Sequence, residues 1–499
     1  MLLLLVLTTL FVYYLSDQWR KTTKLPPGPY PILLFGNLPQ IMYYGIKYGG
    51  IAPALREFKK KYGPVFTLWL GPLPSVRIAD YKLSQEAMAK KTEPDHHKWT
   101  NAIFIVIFFD GRGLIFSNGA LWQEQRRFSL HALRNLGVSK NLVEERIMDE
   151  FNLRCDEVDQ LPPNSSIEPT TFFDQLVGGV MNRMLFSVQP NEDDEKRFFD
   201  LKKKMDDMVE RASVVDLFVK NWVLNVPIIN IRWKNMFRPT LELKEFIREQ
   251  IQTRKRAIGA GTHVIHSEPR DYVDAFIVKM LEHEKEDVDG NTFDDETLAV
   301  NVLDLWIAGQ ETTSTSLVWA VLYMLQNPQV MDKVRKELLE VTGRSGTLSL
   351  KNRMDTPYLN ATIAEIQRHS SILNNNIFRM SSADTEIGGY SVPKDTIVSA
   401  ELSVILSDDS VFSNPEQFNP SRFIDDPTLL SNVIPFGLGR RACLGEALAR
   451  AELHLILGNL LLRYSIQPVG TMPSSNDVLN KFGIMKKSQH FKISLTKIV

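Results

Sequence analysis

The sequence predicts a mainly α-helical fold with a small β region. Helical patterns dominate from Leu121 onward, strand-like runs are few and short, and one helical stretch in the second half is unusually long. The chain has 499 residues, 44% hydrophobic and 23% charged, a globular composition with ample material for a large core. No long Pro/Ser/Gly linker and no internal repeat divides it.

Residues 1–19 read as an N-terminal anchor helix. Met1 to Leu15 is almost uninterruptedly apolar; as a helix it spans roughly 23 Å at about 1.5 Å per residue, short of a ~30 Å hydrocarbon core. Tyr13, Tyr14 and Trp19 suit the interface, and Arg20, Lys21 and Lys24 mark the far side. No basic segment precedes the apolar run and no small-residue cleavage site follows, which favours a signal anchor over a cleaved signal peptide. Because the cations follow the apolar stretch, the positive-inside rule leaves the main body, residues 30–499, in the cytosol. Residues 20–29 form a basic, proline-rich hinge, in which Pro26-Pro27-Gly28-Pro29 gives a stiff extended connector. In that topology the sequons at Asn164 and Asn360 stay bare.

Val65–Leu70 and Ser75–Ala79 are predicted strands joined by a Gly71-Pro72 turn. Helices are predicted over Leu121–Asn135, Lys140–Val158, Glu195–Ala212, Leu241–Ile258 and Tyr272–Glu284. His283 to Asp289 reads as a solvated loop. The long helix follows, over Asp294–Gln326, with acidic residues in its first turn and Asn327-Pro328 ending it. Further helices are predicted at Gln329–Val341, Pro357–Leu373 and Glu446–Leu462, with short strands within Asn376–Met380, Thr385–Tyr390 and Ile397–Glu401.

Net charge is −1, which gives no nucleic-acid footprint. The chain's two cysteines, Cys155 and Cys443, make no disulfide framework and suit a reducing compartment. Cys155 reads as an ordinary helix residue. Cys443 lies in Phe436-Gly437-Leu438-Gly439-Arg440-Arg441-Ala442-Cys443-Leu444-Gly445. The glycines predict a tight turn whose backbone approaches a large flat ligand. Arg441 brings a cation near the sulfur, and a thiolate needs positive charge or a metal to stay ionised.

In the long helix stands Ala308-Gly309-Gln310-Glu311-Thr312-Thr313. Glycine costs a helix interior about 1 kcal/mol relative to alanine, which points to room opened over a flat cofactor. An acid followed by an alcohol suits proton relay to bound oxygen. Asp304 carries no assigned role.

On these residues the chain resembles the cytochromes P450, the haem-thiolate monooxygenases, over about Pro26 to Ser494, and is most similar to the microsomal family 2-like branch. The resemblance implies the P450 fold, a single large haem domain over residues 30–499. It makes Cys443 the axial ligand of iron in haem b, with Phe436, Ala308 and Gly309 beside the ring. It implies that Thr312 hydrogen-bonds dioxygen and that Glu311 is the neighbouring acid. Trp122 and Arg126, a W-x-x-x-R pair, match residues that bind a haem propionate, and Arg379 and Arg441 fall where the family commonly does the same. Glu365 and Arg368 fall at its ExxR position, and Arg422 would join them in a buried charge network. Electrons would come from NADPH through NADPH-cytochrome P450 reductase, with cytochrome b5 a second partner. Arg127, Arg134, Lys140 and Arg440 are candidate docking cations. O2 and a lipophilic xenobiotic, fatty acid or steroid are the implied substrates, at the endoplasmic reticulum membrane with the catalytic domain facing the cytosol.

Ile103 to Phe109, Trp306, Ala308, Phe378 and Phe482 are candidate substrate-facing residues, and Leu217–Ile231 resembles a membrane-dipping loop. The segment Asn374-Asn375-Asn376 departs from the prolines and apolar residues usual there. It is read either as a polar substrate contact or, preferably, as backbone satisfaction in a turn without proline. Two rival functions are a haem-thiolate isomerase or peroxide-using enzyme, and a non-catalytic haem sensor or carrier. The intact Glu311-Thr312 pair argues against both.

Overall fold

The computed structural model describes residues 16, 22–90, 97–98, 111–138, 141–162, 165–187, 192–211, 229–266, 268–286, 291–343 and 346–498. The anchor of residues 1–19, apart from residue 16, lies outside them, as do Lys140, Asn164, Ile103–Phe109 and most of Leu217–Ile231. No helix among the described residues is long and apolar enough to cross a membrane. The chain is mainly helical with small sheets, and forms two compact units.

Unit 1 takes Met1–Trp99, Leu373–Ile405 and Gly437–Ala442. Its helices are α1 (Leu38–Tyr48), α2 (Ile51–Tyr62) and α3 (Tyr81–Gln85), and its strands are β1 (Val65–Leu70), β2 (Leu73–Ile78), β3 (His97–Lys98), β4 (Arg379–Met380), β5 (Thr385–Ile387), β6 (Tyr390–Val392) and β7 (Ile397–Ala400). The five-stranded sheet runs β1-β2-β7-β4-β3, with β2 and β7 parallel and the other pairs antiparallel. β1 is buried along its whole length. The proline hinge does not run free: Thr67 of β1 donates through N and Oγ1 to the carbonyls of Pro27 and Pro26, both at 2.9 Å. The strand expected within Thr385–Tyr390 is β5, which turns at Gly388 and Gly389, left-handed at φ 58° and 82°, to pair antiparallel with β6.

Arg77 of β2 ion-pairs with Glu401 at 2.9 Å, with 5% and 0% of the side chains exposed, and lies over the Phe378 ring. Phe378 is buried and packs against Arg77. The asparagine segment settles toward backbone satisfaction. Asn376 Oδ1 accepts from the N–H of Ala400 at 2.8 Å and from Ser399 Oγ at 3.2 Å, and Asn375 Nδ2 donates to the Asn376 carbonyl at 2.8 Å.

Unit 2 takes Thr100–Ile372, Leu406–Phe436 and Cys443–Val499. Its helices are α4 (Gly119–Leu133), α5 (Asn141–Asp159), α6 (Pro169–Phe186), α7 (Glu192–Arg211), α8 (Ile229–Gly259), α9 (Tyr272–Glu286), α10 (Asp295–Gln326), α11 (Pro328–Thr342), α12 (Pro357–Ser370) and α13 (Glu446–Arg463). Strands β8 (Tyr464–Val469) and β9 (Lys492–Lys497) pair antiparallel. Most predicted helices stand within a few residues of their expected ends. Three differ. α8 starts at Ile229 and runs through Pro239, so the end of the Leu217–Ile231 segment is helical. α9 extends to Glu286 into the expected loop. α12 stops at Ser370 because Ser371 turns left-handed at φ 39°.

α10 is the spine of this unit. Asp294 caps it by accepting from the N–H of Thr297 at 2.7 Å, and most of its length is buried. It packs closely on α6 and also touches α8, α12 and α13. Trp306 is 2% exposed and meets Phe198 edge-on at 4.6 Å, packed in the core. Cys155 is fully buried, as its bland reading expects.

The predicted charge network is present behind α12. Arg368 holds Glu365 through Nε–Oε2 at 2.7 Å and Nη2–Oε1 at 2.9 Å, and Arg422 Nε reaches Oε1 at 3.2 Å. Other guanidinium hydrogens go to the carbonyls of Leu406, Pro415, Ser413, Asn414 and Gln417. Glu365→Gln should therefore cost about 3–5 kcal/mol by leaving buried guanidinium charge unbalanced. Glu57→Gln, which removes the exposed pair with Lys60 at 2.9 Å, should cost under about 1 kcal/mol. Denaturant titrations of both variants check the contrast.

Candidate active site

The Cys443 loop folds as its glycines predict. Gly437 and Gly439 take φ 74° and 76°, and a Cβ on Gly439 would stand 1.8 Å from the Met88 carbonyl oxygen. The Cys443 N–H donates to the Phe436 carbonyl at 2.9 Å, and that of Ala442 to Gly439 at 2.9 Å. In unit 1, Arg379 donates to the carbonyls of Leu438 at 2.9 Å and Met88 at 3.4 Å, bracing the same turn. Arg441 is half-buried there, and Arg440 is exposed. In unit 2, Phe436 lies under the Arg450 guanidinium at 4.9 Å.

Cys443 stands three residues before α13, with its side chain accessible. Surrounding protein raises the thiol above its ordinary range. The Gly445 N–H opposes this, Glu446 adds to it, and Arg126 opposes it. A neutral thiol results until a metal supplies the stronger charge. Arg126 sits on α4 one turn after Trp122, its guanidinium 5.6 Å from the indole ring, so both side chains of the W-x-x-x-R pair share one side of the helix. Arg127 and Arg134, candidate docking cations, are exposed.

α10 opens at one turn. Ala308 is exposed and Thr312 half-buried, four residues apart, between stretches that are buried. Thr312 Oγ1 donates to the Ala308 carbonyl at 2.8 Å. The reason predicted for Gly309 needs correction. A Cβ there would meet Met181 Sδ of α6 at 2.6 Å, so the missing side chain admits α6 rather than a cofactor. The open face comes from Ala308. Asp304 gains a role: its carboxylate accepts from the N–H groups of Leu114 at 2.6 Å and Ile115 at 2.9 Å.

Glu311 faces away into the protein. Its carboxylate pairs with Lys202 Nζ at 3.0 Å and Lys487 Nζ at 3.1 Å. Burial opposes its ionisation, but the two lysines outweigh burial and hold it well below the usual carboxylate range. Sequence reasoning missed both lysines. It also missed Glu452 of α13, 1% exposed and beside Thr313. Burial pushes this carboxyl up to about 8.

An accessible thiol at the head of a helix, an open turn of a buried helix, and the Trp122–Arg126 pair are what an iron porphyrin requires, and the residues fit that group. The cytochrome P450 family model matches residues 26–495. The chain is 38% identical to Probable cytochrome P450 cyp-35D1 of Caenorhabditis elegans over 485 residues, 96% of each chain. It is 34% identical to Cytochrome P450 2H2 of Gallus gallus over 463 residues, 91% of each. It is 32% identical to Cytochrome P450 2C28 of Mesocricetus auratus over 494 residues, 97% of this chain and 98% of the relative. Fold, loop and matches define a haem-dependent oxidoreductase of the monooxygenase type. The chain belongs to the cytochrome P450 family.

The raised Glu452 carboxyl has a consequence for stability. Its folded value, about 8, lies above the ordinary 4.5, so the folded state keeps a proton that the unfolded chain releases between those values. The stability it contributes is full below the ordinary value and is lost as pH rises to the folded one. Glu452→Gln removes that loss. The variant should gain about 1–3 kcal/mol over wild type at neutral pH, at ~1.4 kcal/mol per unit of displacement less relaxation. Denaturant titrations should show the difference growing as pH rises towards 8.

Proposed function

We propose that the protein is a microsomal monooxygenase that inserts one oxygen atom from O2 into lipophilic small molecules, with electrons from NADPH through a flavoprotein reductase. The observation that carries the reading is the accessible Cys443 thiol in its two-glycine loop, in the unit where α10 opens at Ala308 and Thr312. Cys443 would ligate the iron of haem b. Trp122 and Arg126 would hold its propionates, with Phe436 and Ala308 beside the ring. When bound, the haem supplies oxygen activation, which thiolate ligation favours.

The chain's own residues orient and deliver protons. Thr312 Oγ1 turns from the Ala308 carbonyl to offer its hydrogen to oxygen, and Glu311 stands behind it as the acid that restores the proton. The intact pair supports a monooxygenase over an isomerase, a peroxide-using enzyme or a haem carrier. Membrane association at the endoplasmic reticulum is supported by exposed Tyr30, Leu34, Phe35, Tyr43 and Ile46, which follow the apolar N-terminus and proline hinge. The exposed cations Arg127 and Arg134 suit a docking face for NADPH-cytochrome P450 reductase, and cytochrome b5 is a second donor.

Thr312→Ala should lower product formed per NADPH consumed by on the order of tenfold or more, given the ~10²–10⁴ that positioned proton transfer contributes. Peroxide release should rise in step while haem loading is unchanged. Unchanged coupling would remove Thr312 from the relay.

A further inference from the structure

Glu311 belongs to a buried assembly of five charged side chains from four parts of unit 2. Lys202 of α7 reaches Asp174 of α6 at 2.8 Å, Asp206 of its own helix at 2.5 Å and Glu311 of α10 at 3.0 Å. Lys487, between β8 and β9, reaches Asp206 at 2.8 Å and Glu311 at 3.1 Å. The five side chains are between 3% and 14% exposed. Three carboxylates face two ammonium groups, which leaves one negative charge in excess where charge is expensive to bury. One bound proton balances it.

Beside this assembly lies a cavity of about 20 Å3, enough for one water against the ~10–15 Å3 that a water needs. Asp174, Lys487, Glu210 and His490 line it together with Ser314 and Thr315 of α10. His490 is 53% exposed and pairs with Glu168 at 2.7 Å.

We propose that this cluster is the protein's proton-entry station, in which Asp206 and Asp174 share one exchangeable proton and pass it to Glu311. The inference rests on the relay reading of Glu311 and Thr312. Asp206 and Glu311 contact the same two lysines, so moving the proton from Asp206 Oδ to Glu311 Oε transfers one negative charge the other way and leaves the lysines balanced. A proton then returns to the aspartate pair through Asp174, which borders the cavity. Neutral Glu311 is no longer held by ion pairs and is free to turn towards the face of Thr312. Asp206, Lys202 and Lys487 are positioning residues in this scheme.

The electrostatics agree with the geometry. Burial and then Glu311 push the Asp206 carboxyl up, Lys202 and Lys487 pull it down, Asp174 pushes up again, and it settles at about 7. Asp174 is also raised, by burial against the pull of Lys202.

Infrared titration of the full-length holoprotein, isotope-labelled at the aspartyl carboxyl carbon, tests the proposal directly and keeps Glu452 out of the signal. A label-sensitive band of protonated carboxyl is expected to halve near pH 7 and to vanish in Asp206→Asn. In Lys487→Gln its midpoint should rise by about one unit or more, because a cation 2.8 Å away has gone. Absence of such a band in wild type, or a band that neither variant alters, overturns the proposal. If Asp206→Asn yields no holoprotein, the Lys487→Gln midpoint decides. In turnover, Asp206→Asn should lower product per NADPH by roughly threefold or more, within the range of a positioned proton donor. Uncoupling in Thr312→Ala without uncoupling in Asp206→Asn overturns the proton-entry role and leaves the relay standing. Unchanged coupling in both overturns the relay and the inference with it.

Discussion

A helix buried around most of its circumference has no water to fall back on for its polar side chains, and α10 is such a helix. Much of unit 2 is arranged to answer it. Asn301 donates to Gln125 at 2.9 Å and to Tyr272 at 3.2 Å. Asp304 takes two backbone N–H groups from the segment before α4, and Gln310 donates to the Asp174 carbonyl at 3.2 Å. Lysines from α7 and the C-terminal segment meet Glu311. Each bond is worth only about 0.5–1.5 kcal/mol net, whereas a partner left unmade costs about 1–3 kcal/mol. The bonds therefore fix which element lies against which turn of α10 more than they add to stability.

This constraint also divides the chemistry. Glu311 and Thr312 are neighbours in sequence but about 100° apart around a helix. The alcohol lies on the side where Ala308 is open, and the acid enters the ion cluster. Adjacent residues thus serve different environments, one suited to a flat cofactor and one to a buried ion cluster. The same helix keeps Thr313 against the buried acid Glu452, so the open turn is bounded by carboxyls held in opposite charge states.

The parts legible in the sequence are those whose physics is local. Gly437 and Gly439 announce left-handed backbone, and both adopt it. Acidic residues announce the start of α10, and Asp294 caps it. The Glu365–Arg368–Arg422 network became legible only through family resemblance, because an i,i+3 pair appears on any surface helix. Lys202, Asp206 and Lys487 were illegible: each sits in a charged stretch that reads as solvated, and Lys487 is far from the others in sequence. Gly309 shows the limit of a glycine signal, which says that something is close without saying what. Trp306 and Phe378 show the same limit for aromatic residues, since core and pocket walls share one composition. The β8–β9 hairpin escaped notice because its strands are separated by a long irregular segment.

The account depends on Cys443 binding iron as a thiolate, and one spectrum tests that most directly. The difference spectrum of the reduced carbon monoxide adduct would be recorded in membranes expressing the full chain. A long-wavelength Soret band of the thiolate-ligated type is the expected result, because the accessible sulfur is the ligand the loop presents. A band of the histidine-ligated type in folded protein would contradict the account, since the loop would then hold no thiolate and the monooxygenase reading would lose its foundation.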